Sequence, residues 1–293
     1  MSAGIDIEVG LSSATAQRTA LPRTLMNRID TRFAALSKAG RKALIPFFTA
    51  GDPSLEATVP VMHALVAAGA DVIELGVPFS DPMADGPTIQ RSSERALGRG
   101  AGMTCVLDAV REFRTQDDAT PVVLMGYLNP IDIRGAATFA AQAQDAGVDG
   151  VLLVDLPPEE AGEFREAFAA HGIALVLLAS PTTTEARTRT LCEEAQGYLY
   201  YVSFAGVTGA ADRLDTAQAG TRMRALREAS RVPVVAGFGI RDAASAAAMA
   251  GAADGVVVGS ALVDALDGAG TPDDAADRAR RFLAPLRAAL DAG

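Results

Sequence analysis

The chain reads as a single (β/α)8 barrel on three observations. Short apolar runs alternate with amphipathic stretches eight times, an Ala-Gly-to-Asp punctuation repeats, and no dinucleotide-binding glycine fingerprint follows the first run. The runs are Ala43–Thr49, Asp71–Gly76, Pro121–Tyr127, Asp149–Val154, Ile173–Leu178, Gly197–Ser203, Val232–Gly237 and Asp254–Gly259. Apolar runs of this length, bounded by turn signals and separated by helix-period segments, are parallel strands covered on both faces.

The segments AGADVIELG, AGVDGVLLV and AGAADGVVVG each pass from a helix end through Ala-Gly and an Asp into a strand. Their glycine is expected at the helix C′ position, where a left-handed backbone costs it least. Eight units without a break in composition suit a closed barrel better than a doubly wound sheet. Leu25 to Leu36 reads as an amphipathic helix ahead of the first strand, placed to close the barrel floor. Residues 1–23 are Ser/Thr/Ala-rich without periodicity, so they are expected to form a flexible extension, with 24–293 as one catalytic domain. Short extra helices are expected near strands two and eight.

Composition narrows the function. The 293 residues are 49% hydrophobic and carry a net charge of −10, which disfavours nonspecific binding to nucleic acid or anionic membranes. No apolar run approaches the roughly 20 residues that cross a bilayer, and the N-terminus lacks a secretory pattern. Cys105 and Cys192 fall in helical stretches and are expected to be reduced thiols of a cytoplasmic protein. His63 and His171 also lie in helical stretches, and no cluster has metal-ligand spacing. Acid/base chemistry therefore falls to carboxylates, Lys or Tyr.

Function in such barrels sits at the C-terminal ends of the strands. Glu74 interrupts an otherwise apolar strand, on the face shared with Val72 and Gly76, and so should point into the barrel. A buried carboxylate either finds a cation or holds a raised pKa suited to general acid/base work. No strand core here carries a Lys or Arg. The loop that follows, Pro78 to Gln90, is stiff and long, with three prolines and two aspartates. Its Asp85 precedes a helical stretch and could be either a helix-entry residue or a second carboxylate of the site. Gly-bearing loops follow strands six, seven and eight: Ser203 to Gly209, Gly237 to Asp242 and Gly259 to Leu262. Glycine permits close backbone approach to an anion, and barrels often hold phosphate at the last of these loops. A phosphorylated substrate cleaved or isomerised by proton transfer is as far as spacing and chemistry lead.

The loop sequences add a resemblance. GDPS after strand one, ELGVPFSDPMADGPTIQ at strand two, GYLYYVSFAGVTG at strand six, GFGI at strand seven and VVGSALV at strand eight resemble the tryptophan synthase alpha subunit family, in order from Leu44 to Val263. The resemblance implies a TIM barrel that cleaves indole-3-glycerol phosphate to indole and glyceraldehyde 3-phosphate without a cofactor. It implies Glu74 and Asp85 as catalytic residues, Tyr200 beside the glutamate, and Thr208 as a mobile-loop hydroxyl reaching Asp85. Phosphate would be held by Gly209, Gly239, Gly259 and Ser260 with Phe238 alongside, and indole by Phe47, Met125 and Leu152. A pyridoxal-phosphate beta subunit would receive the indole in an α2β2 heterotetramer, contacting the loop at Asp81 and Pro82. Phe204 departs from the family, in which some members carry Arg. A stand-alone lyase releasing free indole, a catalytically inactive activator of a beta subunit, and an isomerase from another phosphate-binding barrel family remain the alternatives.

Overall fold

The computed structural model describes residues 27–202, 216–237 and 239–292. Eight parallel strands close into a barrel in the order β1 to β8, β8 pairing back onto β1. Helix α1 (Arg28–Lys38) leads into β1 (Ala43–Thr49), α2 (Thr58–Ala67) and β2 (Ile73–Gly76). Two helices follow β2, namely α3 (Pro87–Gly98) and α4 (Met103–Arg114). Next come β3 (Val122–Gly126), α5 (Asn129–Asp132), α6 (Ala136–Ala146), β4 (Gly150–Leu153) and α7 (Gly162–Ala170). The second half holds β5 (Ala174–Ala179), α8 (Glu185–Glu194), β6 (Leu199–Val202), α9 (Thr216–Ala229) and β7 (Val234–Gly237). Helix α10 (Ala243–Ala250), β8 (Gly255–Val258), α11 (Ser260–Leu266) and α12 (Pro272–Asp291) complete the chain.

The expected strands are all present, and β1 matches from end to end. The other seven start one or two residues later than expected, and the aspartates explain three of these cases. The Leu44 amide donates to Asp71, just before β2, at 2.9 Å. Likewise the Val122 amide donates to Asp149 at 2.9 Å and the Val234 amide to Asp254 at 2.9 Å. Gln196, before β6, accepts from the Leu175 amide at 2.9 Å in the same way. Each odd-numbered strand is thus pinned at its first turn of pleat by a side chain that precedes the next strand. The repeated Asp is a latch between adjacent strands rather than a member of the second.

Three of these latches carry an arginine. Arg287 reaches Asp71 at 3.0 Å, Arg114 reaches Asp149 at 2.7 Å, and Arg227 reaches Asp254 at 2.8 Å. Gly69 and Gly147, at φ +98° and +87°, end their helices in the left-handed form and leave room for the stems of Arg287 and Arg114. A Cβ on either would lie 2.6 or 2.9 Å from those stems. The third expectation of this kind fails: Gly251 caps α10 at φ −64°. One extra residue separates it from its Asp, so the right-handed turn simply continues.

Helix α1 begins later than expected, capped by Asn27, whose side chain accepts from the Ile29 and Asp30 amides. Asp30 returns the contact to the Asn27 amide, completing a capping box. Ile29 then enters the barrel floor, fully buried, against Gly150 and Gly197. The extra helix at strand two is a full 12 residues, longer than the short piece expected there, whereas α11 after β8 has seven. Among the described residues no helix is long and apolar enough to cross a membrane.

Candidate active site

Glu74 sits in register between Phe47 of β1 and Val123 of β3, on the inward face of the barrel. It has no exposed surface, and among the described residues no cation is paired with it. Instead the Tyr198 hydroxyl donates to its Oε1 at 2.5 Å, while Oε2 has no hydrogen-bond partner among the described residues. Burial pushes the Glu74 carboxyl up to about 7, and the Tyr198 hydrogen bond only partly offsets it. Tyr198 in turn packs its ring 5.9 Å from Phe33 of α1, so the floor helix supports the glutamate's partner.

Asp85 is no helix-entry residue. Helix α3 starts at Pro87 with Gly86 as its cap and without a side-chain cap bond. The Asp85 carboxylate instead accepts from the Tyr127 hydroxyl at 3.0 Å. Burial raises Asp85 to about 6, with the Tyr127 bond pulling the other way. A narrow cleft opens beside it, bordered by Phe47, Thr49, Ser93, Met125 and Tyr127 among others. Glu74 does not border this cleft.

The remaining expected residues fall in different places. Phe47 and Met125 line the cleft with Asp85, whereas Leu152 is wholly buried in the strand layer, in register beside Met125. Tyr200 is buried on the inward face of β6; burial first, then Glu74 and Asp85, hold its phenol well above the ordinary range. Its hydroxyl would lie 2.0 Å from any Cβ on Gly237, so only glycine there leaves Tyr200 its place. Gly259 precedes α11 and lies against Phe47, Ser260 is exposed at the helix start, and Gly239 has φ +75°. Asp81 and Pro82 are on the outer part of the β2 loop, with Ser80 donating to Asp81 at 2.6 Å. Thr208, Gly209, Phe238 and Phe204 lie outside the described residues.

Two residues of the site were not anticipated. Tyr198 supplies the hydrogen bond to Glu74, although Tyr200 was the tyrosine expected beside it; the period-2 spacing of Tyr198 and Tyr200 in GYLYY was the available signal. Tyr127, at the end of the third apolar run, gave no signal because its partner is 42 residues away.

Comparison with known proteins fixes the family. The family model described as tryptophan synthase alpha chain matches residues 33–290. The chain belongs to the tryptophan synthase alpha chain family. It is 73% identical over 266 residues to the tryptophan synthase alpha chain of Xanthomonas euvesicatoria pv. vesicatoria, covering 91% of this chain and 99% of that one. The crystal structure of tryptophan synthase subunit alpha from Legionella pneumophila superposes with a TM-score of 0.85 at 45% identity, covering 92% of this chain and 100% of that one. A chain of the tryptophan synthase α2β2 complex from Pyrococcus furiosus superposes with a TM-score of 0.74 at 38% identity, covering 84% of this chain and 98% of that one. The expected barrel and family therefore both hold, and the chain is an alpha-type subunit of an enzyme of tryptophan biosynthesis.

Proposed function

We propose that this chain cleaves indole-3-glycerol phosphate by a retro-aldol step, with Glu74 as general acid/base and Asp85 facing the indole nitrogen. The observation that carries this reading is a pair of carboxyls that both act on the buried phenol of Tyr200, each raised by burial, to about 7 and about 6. At neutral pH the first is poised to give or take a proton, and the second is mainly ionised. Protonation of indole C3 produces a positive charge shared onto the ring nitrogen, which Asp85 would offset. The bond from C3 to the glycerol carbon then breaks, its electrons neutralising the ring. The hydroxyl on that carbon loses its proton and becomes the aldehyde of glyceraldehyde 3-phosphate. Glu74 would serve both proton transfers after exchanging Tyr198 for substrate, since it does not border the cleft.

Phe47 and Met125 would flank the indole. Gly239, Gly259 and Ser260, with Thr208, Gly209 and Phe238, would form the phosphate end. Pyridoxal phosphate belongs, on this reading, to a beta subunit that takes up the indole. Asp85→Asn should depress kcat by more than it raises KM, because the charge it opposes develops mainly in the transition state. Steady-state assay of indole release checks this; a change confined to KM would make Asp85 a binding residue.

The partner surface has its own support. Among the described residues, Met83 and Ile133 are the exposed large hydrophobic side chains, at 88% and 77%. Both follow strand ends on the face that carries the site, and Met83 adjoins Asp81 and Pro82. Burying one such side chain stabilises a complex by roughly 1.5–3 kcal/mol. Met83→Ser with Ile133→Ser should therefore weaken association with a beta subunit by at least about tenfold. Titration of labelled subunits measures it, and an unchanged dissociation constant would move the interface elsewhere.

A further inference from the structure

We propose that Tyr127 is a positioning residue for Asp85: its hydroxyl, held between the Ala84 amide and the Asp85 carboxylate, fixes where that carboxylate sits. The inference rests on the reading of Asp85 as the group that faces the indole nitrogen.

Tyr127 follows β3 and is buried, yet it makes three contacts with the loop after β2. The Ala84 amide donates to its hydroxyl at 3.0 Å. That bond occupies one side of the oxygen, and the phenol proton is directed to Asp85 Oδ2, also at 3.0 Å. The ring stacks on Phe79 of the same loop, with centroids 5.0 Å apart and planes 27° from parallel. Stacking stops the ring from swinging, so the hydroxyl cannot leave the carboxylate without lifting Phe79. A catalytic carboxylate on a loop gains from such a grip, because misplacement by about 1 Å can cost roughly 10²-fold in rate.

Charge supports the same role. Tyr200 of β6 faces Asp85, and Asp155 after β4 faces Tyr127. Among the described residues, none of the groups acting on Asp85 is a cation; burial opposes its charge and the Tyr127 hydroxyl favours it. Removing the hydroxyl should therefore raise the pKa of Asp85, leaving less of it ionised at any given pH.

The test is Tyr127→Phe, which keeps the ring and its stack on Phe79. With a saturating beta subunit and indole-3-glycerol phosphate as substrate, kcat should fall by about 10- to 100-fold with little change in KM. The acid limb of kcat/KM should move to higher pH, and Tyr127→Phe added to Asp85→Asn should cost nothing further. Phe79→Leu, which loosens the ring but keeps the hydroxyl, should give a smaller loss of kcat. If Asp85→Asn is inactive while Tyr127→Phe keeps full kcat and an unmoved acid limb, this inference falls and the reading of Asp85 stands. A lowered unfolding midpoint with an unmoved limb would likewise overturn it, leaving Tyr127 only structural. If Asp85→Asn keeps full kcat, both fall.

Discussion

Glu74→Gln should reduce cleavage of indole-3-glycerol phosphate by roughly 10²–10⁴-fold while leaving substrate affinity largely intact. Gln preserves the shape of the side chain and can still accept from Tyr198, but it cannot carry the proton. The same substitution has a second readout. The raised pKa of Glu74 means that the folded chain holds a proton the unfolded chain has released between about 4.5 and 7. Stability from this group is full below the lower value and is lost as pH rises through the upper one. The whole span is worth on the order of 3 kcal/mol. Chemical denaturation of the wild type should therefore show weakening across that window, and Glu74→Gln should remove this component. A Gln variant with more than about a tenth of wild-type turnover would take Glu74 out of the mechanism.

Asp149→Ala should be the most damaging change at the barrel floor. One buried carboxylate there accepts from Arg114 at 2.7 Å, from Arg28 at 2.9 Å and from the Val122 amide at 2.9 Å. Removing it leaves Arg114 without its carboxylate partner and a strand amide without an acceptor. Breaking a buried pair from one side costs roughly 3–5 kcal/mol, a large part of the total stability of a domain. Asp149→Asn, which can keep an acceptor for Val122, should cost less. Asp277→Ala is the contrast: its pair with Arg280 is exposed on both sides, and surface pairs contribute about 0–1 kcal/mol. Urea midpoints for the three variants test the ordering, and equal losses for Asp149 and Asp277 would refute the latch account.

Local pattern carried most of the fold. The run Ala43–Thr49 is apolar up to its final Thr and buried throughout, so its strand was legible in full. Strand β2 starts two residues after its run because Asp71 is spent on a neighbouring amide, a cross-strand bond that periodicity cannot see. Gln196 plays the same part without the Ala-Gly-Asp spelling, which hid the fourth latch. The site follows the same rule. Glu74 stood out because a lone carboxylate in an apolar strand is costly, and the Asp85 loop because it is too stiff for a plain connector. Tyr127 and Tyr198 were silent because their hydroxyls act across 42 and 124 residues, and only closure of the barrel brings each to its carboxylate.

The most direct measurement is turnover of indole-3-glycerol phosphate by the purified chain, alone and with a tryptophan synthase beta subunit. The chain alone should release indole and glyceraldehyde 3-phosphate slowly and in equal amounts. The partner should stimulate this release, and Glu74→Gln should lose both activities. No cleavage by the wild type under either condition, or equal cleavage by the Gln variant, would contradict the proposed mechanism.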